Sequence, residues 1–487
     1  MTADAALPPR TFAEHARGWG AGVVRSCLAA RGLNDNARSV KSSIEEATGS
    51  YGGRFFVELL QNAHDAHPAD SVGGKVLMLL DETEGPHGTV YAADAGSGFN
   101  EDNFRAISNL ALSNKPVGEG IGNKGVGFKS VLQVCESPEV YSRDPDDPAR
   151  DGFSFGFADQ DQLRALAGSD DDYAWVLDNV SRYTVPVPVE SVPPTARALR
   201  DEGFATVLRL PLRSAVAAEE ADLRFKELGA GAVPMTLFLT RIASLELRRR
   251  DSAGTACRVL KRDAQPLALP LAGAGRPTAE LATVEQGRTF LLLTREVDRG
   301  ALMDALQESV RRERLKAKWL SWDAPAHVAV AVPYGWDGAS DFRLYTFLPM
   351  GEDARSPLHG HLHAPFFTDY ARKGLEWDHP LNAMLVDAAA ALATDGAEAL
   401  LASGRAGEHE RRAAVDLVAW QPDGASHLPA DVQERAVLPC LDGRAVPMSH
   451  ARLWPDTEWD VLTAALAQRA AGLDVLIPGL GEDRRAR

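Results

Sequence analysis

Between residues 54 and 66 apolar side chains recur at three- and four-residue spacing. Phe55, Phe56, Leu59, Leu60 and Ala63 form one stripe and predict a strong helix. Gly73-Gly74 breaks the pattern, and apolar runs at 75–80 and 89–93, separated by a turn at 85–88, predict a β-hairpin with a longer loop. Residues 11–50 read as helical with a polar break at 32–36, and a further helix is predicted from about 127 to 134. Strand-like runs follow at 153–157, 183–187 and 206–212. A helix at 217–228 bridges to a second unit that alternates strands (242–247, 289–293, 327–332, 342–347) with helices (301–319, 381–392). Further helices are predicted at 409–420 and 458–471. The sum is an α+β chain with antiparallel pairing. Three domains are expected: 1–215, 216–395 and a mostly helical segment of unassigned role at 396–487.

Composition narrows the class. The chain has 487 residues, 45% hydrophobic and 25% charged, which is globular rather than disordered. Its net charge of −16 argues against a protein that coats nucleic acid, which needs surplus Lys and Arg. Cys27, Cys135, Cys257 and Cys440 are too far apart for a zinc knuckle or a small disulfide framework. The first residues lack the basic and apolar regions of a secretory signal, and apolar stretches fall far short of the roughly 20 residues that span a bilayer. A cytoplasmic protein without a membrane partner is therefore expected. The final residues, Glu-Asp-Arg-Arg-Ala-Arg, give no domain-ending pattern, so a longer polypeptide is also an expectation.

Three short patterns carry candidate chemistry. Glu58, Asn62 and Asp65 sit at i, i+4 and i+7, hence on one helical face. An acid, an amide and an acid so stacked suit a hydrated magnesium ion and an activated water, although a solvated surface face has the same pattern. Asp94-Ala-Gly96-Ser-Gly98 follows a strand directly. A strand-end carboxylate can accept from an exocyclic amine, and the glycines permit close approach of a flat ligand; an ordinary Asp/Gly turn looks alike. The third pattern, Gly118-Glu-Gly-Ile-Gly122-Asn-Lys124-Gly125-Val126-Gly127-Phe128-Lys129-Ser130, leads into a predicted helix. Such a ribbon offers N–H donors to an anion, or is simply a surface loop. It is neither a P-loop nor a dinucleotide fingerprint. In this order, on helix, strand end and glycine loop, the three should coincide by chance on the order of once in a few thousand chains.

Together these stretches resemble the N, G1 and G2 boxes of the GHKL ATPase superfamily (gyrase, Hsp90, histidine kinase, MutL), most of all its Hsp90-like, sacsin/NO VEIN-like branch. Arg-Phe-Phe-Val-Glu-Leu-Leu-Gln-Asn-Ala-His-Asp-Ala and Ile-Gly-Asn-Lys-Gly-Val-Gly-Phe-Lys-Ser-Val carry the likeness, with Ser-Asn-Lys115 before the second. The resemblance implies a Bergerat-type α/β sandwich, a mixed sheet covered by helices, then a second α+β domain and a helical C-terminal segment. It implies ATP and Mg²⁺ as cofactors and assigns roles by position. Glu58 would orient the attacking water, Asn62 would ligate the metal, and Asp65 would support the adenine side. Asp94 would bind the adenine amine beside Gly96 and Gly98, with Thr206 nearby on a later strand. Lys115, Gly122, Lys124, Gly125, Val126, Gly127 and Phe128 would hold the nucleotide, residues 100–120 forming the lid. The likeness extends loosely through Phe-Leu-Pro349, residues 361–366 and Leu381-Asn382, and implies that Arg372 or Lys373 meets the γ-phosphate.

The expected function is a slow Hsp90-like ATPase coupling ATP binding and lid closure to conformational change, chaperone-like or remodelling. The alternative is an ATP-gated switch without turnover, a binding subunit of a larger assembly. A homodimer and protein clients are expectations from the family. His359, His361 and His363 alternate onto one strand face; zinc binding lacks a fourth ligand there, and a structural strand is expected.

Overall fold

A computed structural model describes residues 11–32, 38–39, 41–42, 55–108, 127–231, 233–336, 341–368, 374–402, 406–422, 424–453 and 474–477. The fold is α+β and divides into two compact units. Of the described residues, the first holds those up to Ala230 together with Thr240–Leu260; the second holds those of Gly231–Leu239 and those from Lys261 onward.

The first unit is built on one eight-stranded mixed sheet. Its strands are β1 (Gly74–Asp81), β2 (Thr89–Asp94), β3 (Glu139–Arg143), β4 (Asp151–Phe157), β5 (Pro186–Pro188), β6 (Thr206–Pro211), β7 (Ile242–Asp251) and β8 (Gly254–Lys261), in the order β5-β4-β3-β6-β2-β1-β7-β8. The expected hairpin is present: β1 and β2 pair antiparallel from Val76↔Asp94 to Asp81↔Thr89. β1 is buried almost throughout, as befits a central strand. β7 pairs parallel with β1, Val76 facing Leu245. The sequence reading counted 242–247 among the strands of the second unit, and the structure corrects this. A parallel partner needs a long crossover, so neighbourhood along the chain gave the wrong sheet.

Alternation along the strands separates two faces. On one, Leu77, Leu79, Tyr91, Ala93, Tyr141 and Val207 form a core with Ala196 and Leu199 of the helix Pro194–Asp201. By the same alternation Val76, Met78, Ala92, Asp94, Thr206 and Phe155 point to the other. There Phe104 of the helix Glu101–Ser108 stacks on Phe153 at 4.6 Å, with Phe155 at 5.0 Å. The helix Phe12–Ala29 starts with a Thr11/Glu14 capping box and packs Phe12 edge-on against Phe153.

Residues 127–134 do not form the expected α-helix. They form a tighter 3₁₀ segment, Gly127–Gln133, whose chain is extended again by Cys135, which bridges to Leu212. One short run between two anchored points favours the three-residue turn.

The second unit has a seven-stranded sheet in the order β14-β13-β15-β12-β11-β10-β9: β9 (Asp263–Pro266), β10 (Thr278–Val284), β11 (Arg288–Glu296), β12 (His327–Pro333), β13 (Leu344–Thr346), β14 (Leu348–Pro349) and β15 (His361–His363). The helices Arg299–Arg311, Pro380–Leu401 and Glu408–Val418 supply the apolar layer on one face, with Leu306, Leu385, Ala389 and Leu417 among the buried side chains. Leu237, Phe238, Phe290 and Tyr345 close the other. A small two-stranded sheet, β16 (Ala436–Pro439) with β17 (Ala445–Pro447), follows. Among the described residues no helix is long and apolar enough to cross a membrane.

Candidate functional site

The helix Phe55–Ala66 presents Glu58, Asn62 and Asp65 on one side, as 3.6-residue periodicity requires. This side is not a solvated surface. Glu58 is 5% exposed, Asn62 is half-buried, and the Asp65 side chain is nearly covered, its Oδ1 3.4 Å from His64 Nδ1. Burying carboxylates is costly unless partners compensate. On the flank beside them lies Gln61, fully buried, with neither amide atom hydrogen-bonded among the described residues. Gln61 is not among the residues expected from the motifs; its position three residues after Glu58 is the available signal.

The last turn of this helix meets the turn after β2. Ser97 N–H donates to Ala66 O at 2.9 Å, Gly96 N–H donates to Asp94 Oδ1 at 3.0 Å, and Phe99 N–H donates to Ser142 Oγ at 2.7 Å. A Cβ on Gly96 would sit 2.5 Å from Ala66 O, and one on Gly98, where φ is +79°, would sit 2.7 Å from Arg143 O. Both glycines are therefore demanded by the protein's own backbone, which approaches from two sides. Ser142 was not foreseen, since a lone serine in a strand carries no signal.

Asp94 closes β2 and Thr206 opens β6 directly opposite it, so the two side chains share a face. Ser142 is the next neighbour, paired with Thr206 across β3. The Thr206 hydroxyl is buried without a hydrogen-bond partner among the described residues. Asp94 is 8% exposed, and among the described residues no cation lies within ion-pair distance of it. Burial therefore pushes its carboxyl up to about 7, against the smaller opposing pull of the Gly96 N–H.

The structure thus brings Asp94, Gly96, Gly98 and Thr206 together at the C-terminal end of the helix that carries Glu58, Asn62 and Asp65. Glu58 lies eight residues before Ala66, about 12 Å along the helix axis. Phe128 is buried in the 3₁₀ segment begun by Gly127, with its ring 6.5 Å from Phe157. Lys115, Gly122, Lys124, Gly125 and Val126, and likewise Arg372 and Lys373, lie outside the described residues.

In the second unit the three histidines are each engaged with the protein. His361 Nδ1 accepts from Arg343 N–H and His363 Nδ1 from Phe347 N–H, both at 3.1 Å, while His359 Nδ1 lies 2.8 Å from Asp416 Oδ1. Burial, with Arg288 nearby, depresses His361 to about 3 and keeps it neutral. Among the described residues no group of three potential ligands gathers as a metal site would need.

No protein-family model matches the chain. Among curated proteins it is similar to Protein NO VEIN of Arabidopsis thaliana, 30% identical over 165 residues, which is 33% of this chain. The matched stretch is 5% of the length of that protein, so the likeness is a loose and partial link to it.

Proposed function

We propose that the first unit binds ATP with Mg²⁺ and hydrolyses it slowly, in the manner of the GHKL, Hsp90-like ATPases its motifs resemble. The observation that carries this reading is Asp94. A carboxyl so deeply buried ordinarily has a cation beside it; among the described residues this one has only a backbone N–H, with a threonine hydroxyl that lacks a partner there across the ladder. Such a pair suits a ligand that brings its own donor and acceptor, as the edge of adenine does. Asn62 would hold the Mg²⁺, and Glu58 would take a proton from, or orient, the attacking water. Bound Mg²⁺ would supply charge neutralisation on the phosphates, and Asp65 and the Asp94–Phe99 turn would hold the base end. The partial similarity to NO VEIN agrees with the branch the motifs suggest.

Isothermal titration with ADP and Mg²⁺ tests the pocket, with Asp94→Asn as control. Saturable binding lost in the variant supports it; equal or absent heat in both refutes it. Turnover is a separate question. Glu58→Ala retaining ATP binding with turnover lowered about 10²–10⁴-fold supports hydrolysis. Binding with no turnover in the unaltered protein would favour the ATP-gated switch. A remodelling role with protein clients is the setting in which such an ATPase would work.

A further inference from the structure

A cavity in the first unit has none of Glu58, Asn62, Asp65, Asp94 and Thr206 in its lining. It has a volume of about 420 Å³, within the range of small-molecule sites. Its walls combine Leu132, Leu163 and Leu177 with three cations, Lys41, Arg182 and Arg213, and among the described residues no acidic side chain lines it.

The three cations gather in a chain whose net charge is −16 and several of whose partly buried arginines are matched to carboxylates: Arg209 to Glu84 and Glu139, Arg250 to Asp81, Arg295 and Arg435 to Asp395. Lys41, Arg182 and Arg213 have no carboxylate in ion-pair range among the described residues. They are held by neutral groups instead. Lys41 Nζ donates to the carbonyls of Leu177 at 2.7 Å and Asp178 at 3.4 Å. Arg182 donates to Ser137 Oγ at 3.2 Å, lies over the Tyr183 ring at 5.4 Å, and keeps a buried Nε without a partner among the described residues. Arg213, itself exposed, donates to Leu132 O at 3.4 Å. Converging cations repel one another, and a buried N–H without a partner costs about 1–3 kcal/mol. An anion in the cavity relieves both, and the leucines give its remainder an apolar bed.

From this we infer a binding site for a small organic anion, a carboxylate or phosphate monoester carrying an apolar body. The inference does not depend on the nucleotide reading. The site touches the 3₁₀ segment through Leu132, so its occupant would brace the residues that follow the glycine ribbon.

Titration calorimetry with 1-naphthyl phosphate, and with neutral 1-naphthol as control, tests it on the full chain. The expected result is saturable binding of the phosphate, at least tenfold stronger than of the naphthol. It should weaken about tenfold in Arg182→Gln and separately in Arg213→Gln, with thermal melts showing that both variants are folded. Asp94→Asn should leave it unchanged. Equal affinity for both probes, no binding at millimolar concentration, insensitivity to both arginine changes, or loss in Asp94→Asn would each overturn the assignment, the last by making the cavity part of the nucleotide pocket.

Discussion

Replacing Asp94 by Asn removes one titrating group and little volume, so the pH dependence of stability reads directly on its environment. In the folded protein burial raises the carboxyl from an ordinary 3.8 to about 7. Below pH 3.8 the group is protonated whether the chain is folded or not, and it contributes nothing. Between 3.8 and 7 the native state keeps a proton that the unfolded chain has released, so stability falls as pH rises. Above 7 the full penalty is in place. At about 1.36 kcal/mol per pH decade the interval amounts to roughly 4 kcal/mol. Asn carries no such penalty. Urea unfolding of both proteins from pH 4 to pH 8 should give a difference curve in which the variant gains up to about 4 kcal/mol on the unaltered protein, with unchanged m-values. All other titrating groups cancel in the difference. A flat curve would refute the claim that Asp94 is buried without a cation. An amine donor favours the charged carboxylate, so nucleotide binding near pH 7 should release about half a proton. Titrations in buffers of different ionisation enthalpy measure that release.

Four further outcomes are expected. Gly96→Ala and Gly98→Ala should each cost more than about 1–3 kcal/mol in urea unfolding, because backbone oxygens occupy the Cβ positions; melts within about 0.5 kcal/mol of the parent would show a looser turn. Thr206→Val should be neutral or stabilising in the empty protein, since it deletes a hydroxyl without a partner, yet weaken ADP binding; the reverse order would place Thr206 away from the ligand. Glu58→Ala should lower ATP turnover about 10²–10⁴-fold with ADP affinity kept, as read by a coupled phosphate assay. His361, held near 3, stabilises the second unit at neutral pH and loses that contribution as pH falls from 6.5 toward 3; His361→Phe should flatten this acid limb of the unfolding curve while losing the Arg343 N–H bond.

The elements nearest the site were legible because local rules agreed there. Five apolar residues at helical spacing fixed the helix Phe55–Ala66, and two apolar runs about a glycine turn fixed β1 and β2 within a residue. Among the described residues four helices were missed, Glu101–Ser108, Gln160–Ala167, Asp170–Asn179 and Pro194–Asp201, although Asp159 and Ser169 cap two of them and Pro194 begins the last. Their stripes are too short for periodicity to speak. The sheet to which β7 belongs depends on a parallel pairing that no local pattern encodes. At the site, spacing revealed that Glu58, Asn62 and Asp65 share a side, but not that the side is covered. Nor could it reveal that Thr206 stands opposite Asp94, since register across β2 and β6 is a tertiary fact.

The parallel placement of β7 has a practical corollary for dissecting the protein. The chain departs from the first unit after Ala230, and must come back to supply β7 before leaving again beyond Leu260. A fragment cut at 215 or at 230 would lack its outermost two strands. It would leave the apolar run Val76–Leu80 as a bare sheet border, ready to recruit a strand from another molecule. Such a fragment is expected to precipitate however sound its ligand pocket, so nucleotide assays on an excised first unit should use a piece that reaches at least residue 261.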